Sequence, residues 1–99
     1  MSALQKLEVL KDVYVDAGAL DRVLAKLLEA VLSEYRLRQQ RYEQALQEFE
    51  SRYAMDSATF YQRFEAGALG DPMDFFEWAG LYELDQDLLG KIRRLEQAL

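Results

Sequence analysis

Between Ala19 and Ala54 the chain contains no Gly and no Pro, and apolar residues recur there at helical spacing. Nothing in such a stretch stops a helix. Leu20, Val23, Leu24, Leu27, Leu28, Val31 and Leu32 form a wide apolar face. It then narrows to Leu28, Leu32, Tyr35, Gln39, Tyr42, Leu46, Phe49 and Tyr53, at steps of 4, 3, 4, 3, 4, 3 and 4. These steps are a heptad seam, with Gln39 as its one polar member and a candidate for setting alignment. Asp16 is placed to cap the start, with Val15 and Leu20 as a hydrophobic staple. The spacing predicts one helix of about 35–38 residues, about 55 Å long. A compact chain of this size has a radius of gyration of only about 13 Å. The helix must therefore bend, leave its seam bare, or pair with another chain. The eight seam residues are read as oligomer contacts, and a homodimer is the expected assembly.

Further helices follow from local grammar. Asp56 or Ser57 caps a short helix carrying Phe60 and Phe64, Met55 can staple onto Phe60, and Gly67 supplies a left-handed stop. At Asp71-Pro72 a second long helix begins, with Asp71 as cap, Pro72 at the first helical position and Asp74 at the third, running to about Ala98. Its apolar face collects Phe75, Trp78, Leu81, Tyr82, Leu88, Leu89, Ile92, Leu95 and Leu99, while Gly80 and Gly90 lie off it. Residues 1–15 carry two patterns. Leu4, Leu7 and Leu10 suit a helical turn, whereas Leu7, Val9, Val13 and Val15 alternate as in a strand. The expectation is a short N-terminal strand or arm, residues 1–15, ahead of a single helical domain, residues 16–99. The fold class is all-α: a long, a short and a long helix in a coiled-coil-like helical hairpin.

Composition removes several kinds of chemistry. The 99 residues include no His and no Cys. Ser-His-Asp and Cys-His catalysis, disulfides and thiolate zinc sites are thereby excluded within this chain. An enzyme is not expected, nor is a cofactor or metal. The pairs Asp71/Asp74 and Asp85/Asp87 lack the looped oxygen frame of a calcium site. No apolar run approaches the 18 or so residues of a membrane span, and no secretory leader pattern opens the chain, so a cytoplasmic address is expected.

Charge is unevenly placed. From Glu65 to Gly90 there are seven carboxylates (Glu65, Asp71, Asp74, Glu77, Glu83, Asp85, Asp87) and no Lys or Arg. The same segment holds Phe75, Phe76, Trp78 and Tyr82, with Phe76 on a different side of the helix from Trp78. Aromatics bury large areas at little entropic cost, so this block is a candidate docking surface for a basic partner, carried by Asp71, Asp74, Phe76, Glu77, Trp78 and Asp85. Packing of Phe75 and Trp78 into the core is the competing explanation. Asp85 falls in the middle of the apolar face and needs a partner there, with Arg36, Arg38, Arg41 or a Tyr hydroxyl as candidates. Arg36, Arg38, Arg41, Arg52 and Arg63 are interleaved with Tyr35 and Tyr42, but Glu34, Glu43, Glu48 and Glu50 surround them. No single-sign stripe forms, and a solvated helix surface with i,i+4 pairs is the better account. Direct nucleic-acid binding is not expected.

The segment Tyr53–Leu84 carries Tyr53, Met55, Phe60, Phe64, Glu65, Gly67, Leu69, Gly70, Asp71, Asp74, Phe75, Phe76, Glu77 and Trp78 in a distinctive order. In this pattern the chain resembles small helical antitoxins, TumA-like ones among them, of bacterial toxin–antitoxin pairs. The resemblance covers roughly a third of the chain. It implies an acidic helical protein that neutralises a basic partner, often a nuclease, by occupying its active surface. It supplies no catalytic or binding residues. Antitoxins commonly add a DNA-binding N-terminal module, and here residues 1–15 offer only Lys6 and Lys11. The expected function is a protein-binding module of antitoxin type. The alternatives are a homo-oligomeric coiled-coil scaffold and, third, a DNA-binding transcriptional repressor.

Overall fold

The computed structural model describes residues 1–70 and 72–99. Four helices follow one another: α1 (Ala3–Val13), α2 (Ala17–Tyr53), α3 (Ser57–Glu65) and α4 (Met73–Ala98). The long helix is thus 37 residues, as its spacing predicts. Its cap is the expected one, Asp16 accepting a hydrogen bond from the Gly18 N–H at 2.9 Å. α2 ends at Ala54, held in the left-handed region at φ 50°.

α3 starts at Asp56, whose carboxylate accepts from the Thr59 N–H at 2.8 Å and from the Thr59 hydroxyl at 2.9 Å. Those bonds favour the charged form and hold the Asp56 carboxyl below its usual range. At its other end, Gly67 at φ 70° lets its own N–H reach the Phe64 carbonyl and the Ala68 N–H reach that of Arg63. This double closure is the Schellman arrangement that Gly makes accessible. α4 opens one residue later than expected, with Pro72 at the cap position and no side-chain cap bond. The expected cap, Asp71, lies outside the described residues.

Residues 3–13 are helix, not strand or irregular arm. The reason is a capping box: the Gln5 N–H donates to Ser2 Oγ at 3.1 Å, and the Ser2 N–H to Gln5 Oε1 at 2.7 Å. Two otherwise orphaned donors are satisfied reciprocally, which outweighs the β-branched preference of Val9 and Val13.

α4 runs back along α2, and their interface holds two apolar clusters. In one, Leu46, Phe60, Trp78 and Ala79 are buried, with Phe49, Tyr53, Met55 and Phe75 among those packed on them. Trp78 is its centre: the Phe60 ring stacks on it at 3.7 Å between centroids, and Phe49 and Tyr53 each stack at 5.7 Å. Its indole N–H donates to Ser57 Oγ at 2.9 Å, so the ring is buried with no polar atom stranded. In the second cluster Leu32, Leu88 and Ile92 are buried, with Tyr35, Tyr42 and Leu95 against them. Between the two lies a polar layer, where Gln39 Nε2 donates to Asp85 Oδ1 at 3.4 Å.

The molecule is a rod with extents of 60 × 23 × 18 Å and a radius of gyration of 19.4 Å. The mismatch between helix length and domain size is resolved by elongation, with α4 as the cover. No helix among the described residues is long and apolar enough to cross a membrane.

Candidate protein-docking surface

α4 has two faces with opposite fates. Trp78, Ala79, Asp85, Leu88 and Ile92 are turned in towards α2 and are buried. On the outward side lie Met73, Phe76, Glu77, Gly80, Glu83, Leu84 and Asp87, all exposed. Phe76, Gly80 and Leu84 are spaced by four and therefore share one line along the helix. Phe76 and Leu84 are each 55% exposed. At Gly80 a Cβ would meet nothing within 4 Å, so the line dips between its two apolar ends. Glu77, Glu83 and Asp87 rim this shallow hollow.

Contacts from α2 and α3 hold the surface in place. The Phe64 ring meets Phe76 edge-on at 5.5 Å, which fixes one flank of the exposed ring. The Tyr61 hydroxyl donates to Glu83 Oε1 at 2.6 Å, and its ring lies 4.9 Å from that of Tyr82. That bond to Glu83, with burial and the nearby Glu65 carboxylate, pushes the Tyr61 hydroxyl well above its ordinary range. The hydroxyl therefore stays a proton donor and anchors the acid without neutralising it. Asp87 is paired with Lys91 at 3.3 Å, whereas Glu77 has no ion pair among the described residues.

Asp74 does a different job. Tyr53 Oη and Arg52 Nη1 both donate to its Oδ2 at 2.7 Å. The Tyr53 bond first, then Arg52, holds the Asp74 carboxyl below its ordinary range, and the same contact raises the Tyr53 hydroxyl. The first turn of α4 is thereby tied to the last turn of α2. The side chain is about a third exposed, and its charge is already matched.

The six expected docking residues are thus not one surface. Phe76 and Glu77 lie together on the outer face. Trp78 is 0% exposed and Asp85 is 5% exposed, so neither can touch a partner of the folded chain. Asp74 is a clamp, and Asp71 lies outside the described residues. Glu83 and Asp87, acids of the same block, lie on this face with Leu84 and Met73, which the sequence reading did not single out. The signal for them was the four-residue spacing Phe76–Gly80–Leu84 on the side away from Trp78.

The expected oligomer seam is filled from within the chain. Leu32 and Leu46 are buried under α4, Tyr35, Tyr42, Phe49 and Tyr53 pack in the two clusters, and Gln39 bonds to Asp85. Leu28 borders Leu95 and Ala98 near the end of α4. The heptad steps mark the face on which a second helix packs, and that helix is α4 of the same chain.

The partner of Asp85 is Gln39, not an Arg or a Tyr hydroxyl. Burial dominates and pushes the Asp85 carboxyl up; the Gln39 bond opposes this and the Glu43 charge adds to it. Two of the three candidate arginines are committed elsewhere. Arg36 bonds Glu96 at 3.0 Å across the helices, and Arg38 bonds Glu34 at 3.3 Å while lying over the Tyr35 ring. No group of three or more acids able to hold a metal ion occurs among the described residues. Comparison with protein-family models, curated proteins and solved structures found no match.

Proposed function

We propose that the chain is a non-enzymatic protein-binding module that captures a basic partner on the outer face of α4, as an antitoxin neutralises a toxin. One observation carries this reading: Phe76 and Leu84 stand exposed on either side of Gly80, rimmed by Glu77, Glu83 and Asp87. No cation occurs from Glu65 to Gly90, and of the three rim acids Asp87 alone has an ion pair among the described residues, to Lys91 just beyond that segment. An aromatic anchor beside a dip, ringed by one sign of charge, suits an amphipathic helix whose apolar side chain seats over Gly80 and whose Lys or Arg residues meet the rim. The acidic field steers such a partner in, and the apolar ends slow its release. In the antitoxin reading the partner is a toxin, a basic nuclease being one such partner, both proteins are bacterial and cytoplasmic, and occupancy of its active surface is the whole mechanism.

Direct reading of DNA is less well supported. Arg36, Arg38 and Arg52 each pair with a carboxylate, and the formal net charge of −6 opposes a phosphate backbone.

The test is co-expression with the product of the adjoining reading frame. The expected result is relief of toxicity and a complex that co-elutes at low salt and weakens as salt rises. Phe76→Asp combined with Glu77→Lys is expected to weaken it by about thirty-fold or more, the scale of losing a central anchor. A complex indifferent to both changes and to salt removes this surface from the function.

A further inference from the structure

The opposite end of the rod is uncovered in another way. α4 stops at Ala98, beside Leu28 and Val31. The part of α2 before Leu28, from Ala17 onward, runs on past it for about 16 Å of helix. α1, 11 residues long, touches α2 and buries none of its own residues. A helix of that length is marginal in water without tertiary cover. Its more sheltered side chains, Leu7 and Leu10, are 37% and 39% exposed, while Val13 is 67% exposed and Leu27 on α2 is 60%. Two aliphatic i,i+4 pairs are left open, Val9 and Val13 on α1 and Val23 and Leu27 on α2, and Leu4 is exposed on another side of α1.

We infer that this two-helix end is the contact between two copies of the chain, the pair of hairpins closing into a four-helix bundle about a two-fold axis. Area argues for it. The chain exposes 7283 Å², whereas a compact monomer of 11.5 kDa exposes about 5,800 Å² by mass scaling. The surplus, spread over the whole elongated rod, is about 1,500 Å², enough to supply the roughly 800 Å² that each partner of a stable pair covers. Charge argues for a second copy over a basic partner. Residues 1–31 carry four cations (Lys6, Lys11, Arg22, Lys26) and five acids (Glu8, Asp12, Asp16, Asp21, Glu29), close to balance. Two such ends meet without appreciable repulsion, and the cation-free segment of each copy stays at the far end of its rod. An isologous contact pairs one patch with itself, and exposed aliphatic side chains with nearly balanced charge meet that requirement. This interface is independent of the α4 face and of its partner.

Sedimentation equilibrium of the full chain, together with emission from its single Trp, tests the inference. The wild-type chain is expected at twice its 11.5 kDa mass, dissociating on dilution. Val9→Glu with Leu27→Glu is expected to give a monomer whose Trp78 emission is unchanged, because both positions lie far from the aromatic cluster. Should that emission shift, the uncharged pair Val9→Gln with Leu27→Gln takes its place and the mass decides. Phe76→Glu, which impairs capture of a basic partner, is expected to leave the dimer intact. A wild-type monomer at all concentrations, a dimer that survives the paired substitutions, or one that Phe76→Glu dissociates overturns the inference.

Discussion

Asp85 is the residue on which the α2–α4 interface is least comfortable. It is buried, its one hydrogen-bond donor is a neutral amide at 3.4 Å, and the nearby Glu43 repels it. Burial raises its carboxyl pKa, so the folded chain holds this proton more tightly than the unfolded chain does. Its effect on stability is therefore most favourable at and below the ordinary carboxylate pKa. It declines as pH rises through the window up to the raised value, and at neutral pH the buried charge is a cost. Asp56 and Asp74, whose pKa values are lowered, act in the opposite sense, and their contributions fade as pH falls. Asp85→Asn keeps the shape and an acceptor for Gln39 while removing the charge. It is expected to raise the thermal midpoint at pH 7 by several degrees, on the order of 1 kcal/mol, with the gain shrinking as pH falls towards 4. Midpoints followed by circular dichroism at several pH values check this; an equal gain at every pH would mean the charge is not what destabilises the layer. That Asp85 faces the core was legible from its helical angle. Its partner was not, because Arg36, Arg38 and Gln39 are neighbours in sequence and only the register of α4 decides which one meets it. For Trp78 the difficulty was chemical: an aromatic is as good an anchor inside as outside, and its neighbour Phe76 took the outer role.

At the scale of elements, helix ends carried most of the legible information. Asp16, Asp56 and Gly67 act where their residue types predict, because caps depend on two or three local atoms. α1 was readable on the same principle from Ser2 and Gln5, but side-chain alternation in Val9, Val13 and Val15 pointed the other way. The seam was legible as a pattern and misread as to owner, since a heptad spacing does not state whether the matching helix lies in the same chain. One end departs from rule. Ala54 closes α2 in the left-handed region, where its Cβ is strained by about 1–2 kcal/mol. Ala54→Gly relieves that strain and adds about 0.4–1 kcal/mol of unfolded-chain entropy, for an expected net gain of about 0.5–1 kcal/mol. Gly67→Ala is the reciprocal change, since a Cβ there meets no atom within 4 Å and only the backbone resists it. A loss of similar size is expected. Urea midpoints of the two variants check both signs, and a destabilised Ala54→Gly protein would show that the Ala54 methyl makes a contact worth more than its strain.

The whole molecule is graded along its length. At one end α2, α3 and α4 enclose Trp78; in the middle two helices share an aliphatic cluster and one polar layer; at the other end two helices meet with nothing buried in α1. Local stability follows buried apolar contact, so the rod is expected to open from the α1 end inwards rather than all at once. The enclosed end holds the outer face of α4, with Phe64 against Phe76 and Tyr61 bonded to Glu83, and under the proposed capture of a basic partner this lowers the ordering cost of binding. Under the inferred pairing of two copies, the open end gains order when covered. Amide hydrogen exchange reads the gradient directly. The slowest amides are expected near Tyr42–Phe49 and Trp78–Leu88, and those of α1 are expected to exchange faster by several orders of magnitude in dilute solution. As concentration rises, protection in α1 and in Leu20–Leu27 should increase, while that around Trp78 stays near its starting value. Uniform protection along the rod at every concentration would contradict the gradient, because an element with no buried residue cannot be as slow to open as one built around a fully enclosed indole.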